Sequence, residues 1–120
     1  MAPSVSCTIM AFNEEATLAE ATDDVVAALA AFGDRAFEVL IVDDGSTDRT
    51  PKIAREQAAR YPQVRVITHP QNRGPGSALI TGFRESRCEL VCFHAADQQL
   101  PFAEVAALLP LLDRDFDLVI

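Results

Sequence analysis

Apolar residues along the chain gather in short runs rich in β-branched and aromatic types at 5–12, 37–42, 64–68, 89–93 and 117–120, with helix-period spacing between them. A new run begins roughly every 25 to 32 residues. That interval is too long for hairpins and suits a strand, a crossover helix and the next parallel strand. The pattern therefore predicts an α/β fold of three layers, α/β/α, around a mostly parallel sheet. Val39, Leu40, Ile41 and Val42 are apolar without alternation, as burial on both faces of a sheet demands.

The helical segments have readable ends. The first is expected to start after Asn13 as N-cap, with Glu14 and Glu15 complementing the helix dipole. Leu18, Thr22, Val25, Leu29 and Phe32 form its apolar stripe, and Gly33 ends it. A second helix is predicted over 47–60, burying Ile53, Ala54, Ala58 and Tyr61, with Pro62 preventing continuation. A third begins near Gly76 or Ser77 with Ala78, Phe83 and Ser86 inward. Pro101 suits the first turn of a fourth, whose Val105, Leu108, Leu109 and Leu112 face the sheet and which Pro110 should kink.

Composition narrows the class. At 120 residues the chain has the length of one domain, and 49% hydrophobic against 23% charged residues excludes disorder. Ten basic against 18 acidic residues give a net charge of −8, the wrong sign for binding nucleic acid through its phosphates. An anionic ligand would need a metal ion or backbone N–H groups to offset that charge. Cys7, Cys88 and Cys92 are odd in number and lack CxxC spacing, so they read as structural thiols in a reducing, cytoplasmic compartment. No apolar run approaches the length of a membrane span, and no basic segment precedes the first one. All basic residues but Lys52 and the histidines are Arg, and Ala is the commonest residue, a bias that points to a GC-rich bacterial genome.

In open α/β sheets ligands gather beyond the carboxyl ends of the strands. Polar strings follow four of the predicted strands: Asn13-Glu14-Glu15, Asp43-Asp44-Gly45-Ser46-Thr47-Asp48, Asn72-Arg73-Gly74-Pro75-Gly76 and His94-Ala95-Ala96-Asp97-Gln98-Gln99. Asp43 and Asp44 point to opposite faces, so one can meet a ligand while the other anchors the loop; capping of the next helix serves both equally well. The loop at 72–77 is a weak phosphate cradle, with a plain helix cap as its alternative. Asp97 and Gln99 can reach one hard cation such as Mg2+ or Mn2+, whose shell substrate phosphates would complete. Each metal–phosphate charge pair at ~4 Å and an effective dielectric of about 20 contributes several kcal/mol. Asp97 alone could equally cap the helix near Pro101.

Four strings, taken in this order, resemble the N-terminal half of a family 2 inverting glycosyltransferase of GT-A fold, especially the branch containing dolichyl- and polyprenyl-phosphate sugar transferases. They are Ser6 to Glu15 (SCTIMAFNEE, at the family's P-x-Y-N-E-E), Val39 to Thr50 (VLIVDDGSTDRT), His69 to Gly82 (HPQNRGPGSALITG) and Phe93 to Pro101 (FHAADQQLP). The resemblance implies a Rossmann-like nucleotide-diphospho-sugar-binding fold. By position it implies a nucleotide pocket of Met10, Phe12 and Glu14, base and ribose contacts from Val42 and Asp44, and a donor wall at Gly74, with Arg73 as a phosphate contact. Ala96 and Asp97 would lie at the sugar diphosphate, with Asp97, Gln99 and the diphosphate holding Mg2+ or Mn2+.

The implied reaction moves a sugar from a nucleotide-diphospho-sugar donor to an acceptor such as a polyprenyl phosphate, with inversion. Ala95 stands where the family's aspartate-x-aspartate has its first carboxylate, so metal binding rests on Asp97 and Gln99 unless His94 contributes. The same substitution admits a non-catalytic nucleotide-sugar-binding module. The family's domains extend well past this length, and the sequence stops at 117–120 inside an apolar run. Residues 1–120 are thus expected to be the nucleotide-sugar-binding N-terminal part of a truncated domain, with a terminal strand open to self-association. A phosphoacceptor receiver domain has a similar length and an acid pair, but it needs that pair after the first strand and a Lys after the fifth. Here the pair follows the second strand and Lys52 is the one lysine.

Overall fold

A computed structural model describes residues 4–31 and 36–97. The expected fourth helix, the 117–120 strand with its self-association, Phe32, Gly33 and Gln99 lie outside the described residues. Within them the chain runs β1 (Val5–Ala11), α1 (Leu18–Ala30), β2 (Phe37–Asp43), α2 (Thr50–Arg60), β3 (Val64–Thr68), α3 (Pro75–Glu85) and β4 (Leu90–Ala95). All strands pair in parallel in the order β3-β2-β1-β4. The α/β alternation is the one the hydrophobic pattern predicts.

Two unequal faces result. Val5, Cys7 and Ile9 of β1, with Val39 and Ile41 of β2, form a continuous core with Leu18, Val25 and Leu29 of α1 and Ala54 of α2. The alternate residues of the same strands, Ser6, Thr8, Leu40 and Val42, are equally buried but face α3. The chain steps outward from β1 to β2 to β3 with both helices on one face, then crosses the other face through α3 to reach the far side of β1. This reversal makes the carboxyl end of the β1–β4 seam the place where loops diverge and a crevice opens.

The α3 face buries polar residues, and each has a partner or a packing reason. Ser6 donates to Glu38 Oε2 at 2.6 Å and accepts from the Cys88 N–H at 3.1 Å, while Arg65 Nε and Nη2 donate to Glu38 Oε1. Those hydrogen bonds tie the approach to β4 to the amino ends of the other strands. Thr8 lies under Gly82, where an added Cβ would sit 2.3 Å from Thr8 Oγ1. The inward stripe of α3 is therefore Ala78, Thr81 and Gly82, and Phe83, expected inward, is 67% exposed. A close helix-to-sheet approach needs small residues, and Phe83 lies a full 100° around the helix from Gly82.

All three helix starts also differ from expectation, the first two for one reason. α1 begins at Leu18 rather than after Asn13, which has φ +52°. The Asn13, Glu14 and Glu15 N–H groups donate instead to Ser46 Oγ, Thr50 Oγ1 and Asp48 Oδ2. Asn13 Oδ1 accepts in return from the Thr47 N–H at 2.9 Å, and Asp48 Oδ1 accepts from the Thr50 N–H at 2.8 Å. α2 consequently starts at Thr50, not at 47. α3 starts at Pro75, one residue before the earliest expected position.

Cys7 and Cys92 are buried register partners on β1 and β4; burial, and the Cys92 thiol beside it, raise the Cys7 pKa well above its ordinary value. Both fit the structural role expected of them. Gly82→Ala sets two effects against each other. Helix propensity favours Ala by about 1 kcal/mol, whereas overpacking a buried contact costs about 1–3 kcal/mol. Because the clashing atoms belong to fully buried Thr8, overpacking should win and urea unfolding should show a loss of about 1–2 kcal/mol. Equal or greater stability would contradict this packing.

Candidate functional site

A cavity of about 320 Å³ opens at the carboxyl ends of β1 and β4 beside the start of α3. Its apolar wall comes from Met10, Phe12, Pro75, Ala78 and Ala95, and its polar edge from Glu14, Asp44 and Asn72. Phe12 is 44% exposed at the lip, an aromatic face held ready rather than packed into the core. Glu14 is kept there by the bond from its N–H to Thr50 Oγ1 and by its carbonyl, which accepts from the Leu18 N–H at 3.0 Å.

Asp44 organises the opposite side. It follows β2, where its N–H donates to the Ala11 carbonyl at 2.9 Å and carries the β1–β2 ladder past the strand ends. Its carboxylate is almost wholly buried and accepts four hydrogen bonds. Oδ1 takes His69 Nδ1 at 2.7 Å and the Arg73 N–H at 3.0 Å; Oδ2 takes Asn72 Nδ2 at 3.0 Å and the Gly74 N–H at 2.9 Å. Two features allow this. Gly74 adopts φ +96°, and Gly45 has φ +71° with its α-carbon so close to the 71–72 backbone that a Cβ would lie 2.3 Å from Asn72 N.

The two aspartates thus divide the work. Asp43 Oδ1 accepts from the Ser46 N–H at 3.1 Å and closes the turn, while Asp44 anchors the loop that borders the cavity. Neither caps α2, whose N-cap position is Arg49 with no side-chain cap; Asp48 Oδ1 accepts from the N–H of its first residue, Thr50. The 72–77 loop does bind an anion at a helix start, but that anion is the chain's own Asp44, which uses the Arg73 and Gly74 amides a phosphate would need.

Of the residues expected at a donor site, Met10, Phe12, Glu14, Asp44 and Gly74 line the cavity together. Val42 is fully buried beneath it and Ala96 is 1% exposed, its N–H donating to the Met10 carbonyl. Arg73 and Asp97 are exposed, outside the lining. His94 does not join the site. It alternates with Ala95 and pairs with Ile9, so it faces the α1 side, where burial lowers its pKa against the opposing pull of Asp97 and Asp24. Among the described residues no three His, Cys, Asp or Glu side chains converge on a metal position. Asp97 is the carboxylate that follows Ala95. One such ligand suits a cation that arrives with substrate phosphates and suits no all-protein cage.

Sequence reasoning left His69 and Thr81 without a role. His69 is buried, and its Nε2 lies 2.8 Å from Thr81 Oγ1. The available signal was position, since His69 directly follows β3 at the same sheet edge as the other polar strings.

Burial raises the Asp44 pKa, but hydrogen bonds from His69 and the Arg73 and Gly74 amides outweigh it and hold the carboxyl below the ordinary range. The unfolded chain therefore binds this proton more readily. Ionised Asp44 stabilises the fold above the ordinary carboxylate range, and that contribution fades as pH falls through the lowered value. Asp44→Asn should lower stability near neutral pH by about 2–4 kcal/mol, because an amide NH2 would face N–H donors. Urea unfolding followed from about pH 6 to about pH 2 should show a shallower acid loss in the variant, with Glu38 and Asp48, also lowered, supplying the remaining slope.

Comparison with known proteins adds a family. Residues 6–120 match the family described as Glycosyl transferase family 2. An undecaprenyl-phosphate 4-deoxy-4-formamido-L-arabinose transferase of Edwardsiella ictaluri is 38% identical over 117 residues, covering 96% of this chain and 35% of that protein. A human dolichyl-phosphate beta-glucosyltransferase is 36% identical over 110 residues, covering 87% and 34%. Among solved structures, the mannosyltransferase PcManGT of Pyrobaculum calidifontis, in complex with GDP-Man and Mn2+, superposes with a TM-score of 0.73 at 28% identity, over 88% of this chain and 31% of that one. The chain spans about a third of the length of these relatives.

Proposed function

The chain belongs to glycosyl transferase family 2, and on that footing we propose that it is the donor-binding part of an enzyme that transfers a sugar from a nucleoside diphosphate to a polyprenyl phosphate with inversion. The observation that carries the reading is the cavity at the β1–β4 reversal, with an exposed aromatic and a carboxylate on one side and an anchored glycine loop on the other.

In this reading Phe12 and Met10 give the base an apolar face, with Val42 as the layer beneath. Glu14 accepts from ribose hydroxyls. Asp44 contributes chiefly by holding the loop at Gly74, since its oxygens already accept four hydrogen bonds. The diphosphate lies past Ala95 towards Ala96 and Asp97, and Arg73 at the loop's tip would approach it. Asp97 and Gln99 would hold Mg2+ or Mn2+ against the diphosphate oxygens. When bound, the ion neutralises charge that builds on the leaving diphosphate.

An anionic acceptor phosphate is a nucleophile without deprotonation, so this half of the chemistry makes no demand for a strong base. Relatives named for undecaprenyl and dolichyl phosphate support that acceptor class, and a neighbour holding GDP-Man and Mn2+ supports the donor and metal. No helix among the described residues is long and apolar enough to cross a membrane. The proposed place is the cytoplasmic face, where nucleotide sugars meet lipid phosphates.

Ala95 favours one competing reading. It lines the cavity with a methyl group where the family's first metal-site carboxylate stands, as a nucleotide-sugar-binding module without turnover would tolerate. Titration calorimetry of the intact protein with UDP and GDP, with and without Mn2+, tests the metal. Mn2+ should tighten binding of one nucleotide by at least about tenfold, ~1.4 kcal/mol, and Asp97→Ala should remove the gain. Metal-independent binding in the wild type would sink the metal role, and binding without sugar release to a polyprenyl phosphate would favour the competing reading.

A further inference from the structure

A buried polar chain runs from the cavity edge into α3, and donor chemistry makes no direct use of it. His69 is 5% exposed and Thr81 6% exposed, so both are shielded from solvent. The His69 N–H donates to the Asp43 carbonyl at 2.9 Å, which fixes the residue to the end of β2. Its ring then spans two elements, with Nδ1 2.7 Å from Asp44 Oδ1 and Nε2 2.8 Å from Thr81 Oγ1. An ionised carboxylate only accepts, so Nδ1 carries a hydrogen, and in the neutral ring Nε2 accepts from the Thr81 hydroxyl.

The four donors to Asp44 are not equivalent. Asn72, Arg73 and Gly74 belong to the loop that Asp44 restrains; Asn72 Nδ2 also reaches the Asp44 backbone carbonyl at 3.2 Å, but the other bonds of the loop follow the carboxylate wherever its side chain turns. The bond from His69 is the one anchored elsewhere, in the β3 end and, through Thr81, in α3. We infer that His69 is a positioning residue for the cavity: by pinning the Asp44 side chain it fixes the 72–74 loop that forms one wall. The link to donor binding rests on the function proposed above, whereas the hold on the loop does not.

The side-chain amide nitrogen of Asn overlies His Nδ1, and that of Gln overlies Nε2. His69→Asn therefore keeps the donor to Asp44 and loses Thr81, while His69→Gln does the reverse. Two measurements on the intact protein are informative: hydrogen exchange at the Arg73 and Gly74 amides without nucleotide, and calorimetric affinity for UDP and GDP with Mn2+. His69→Asn should stay within about threefold of wild type in both, and His69→Gln should exchange faster and bind more weakly by about tenfold or more.

A purely structural histidine would make the variants alike at these amides, and that result overturns the inference. Unchanged nucleotide affinity in His69→Gln, in a protein whose wild type binds, overturns it equally. If the wild type binds neither nucleotide, the donor reading fails instead, and amide exchange alone decides whether His69 holds the loop.

Discussion

The site depends on one buried negative charge being fully solvated by protein. Asp44 carries an ionised carboxylate into a region almost closed to water, which is tolerable only because four donors converge on its two oxygens. Those donors are His69 at the end of β3 and three groups of the loop that follows it, at 72–74. Their convergence forces the 72–74 loop to turn back on the end of β2 and leaves a gap between that loop and Phe12. A neutral residue at this position would remove the reason for the loop to take this path.

Topology supplies the rest. Among the described residues, the crossing to β4 over the opposite face leaves the β1–β4 seam without a covering loop, and residues from β1, β4 and α3 meet there at short range. The pleat then sorts side chains. Met10 and Ala95 fall on the cavity side, and Ile9 and His94 on the core side. Family membership agrees with this geometry, since the four strings that carry the resemblance follow the four strands and gather at one edge of the sheet.

Much of this was legible in the sequence, and the failures share a cause. Strand existence and order of type follow from runs such as Val39 to Val42, which have no other comfortable environment. Burial of Leu18, Val25 and Leu29 follows from helical period. Phe83 was misplaced because periodicity says that one face is inward but not how closely a helix approaches the sheet, which Gly82 and Thr8 decide. The start of α1 was misplaced because Asn13 looks like a cap to its own helix, whereas its amide and side chain serve a loop some thirty residues away. Asp44 was recognisable as important, but its partners at 69–74 are fixed only by tertiary closure. His69 could not be assigned by spacing, because what it touches is remote in the chain.

The cross-bonding of residues 13–15 to residues 46–50 bears on binding entropy. Each loop satisfies the other's amides, so neither can fluctuate without the other giving up hydrogen bonds. Glu14 and Phe12 are thereby confined before any ligand arrives, and the conformational freedom of that wall is surrendered during folding rather than at encounter. A ligand meeting this side of the cavity loses little affinity to ordering the protein. Discrimination between ligands then falls to fixed shape and fixed charge rather than to adjustment.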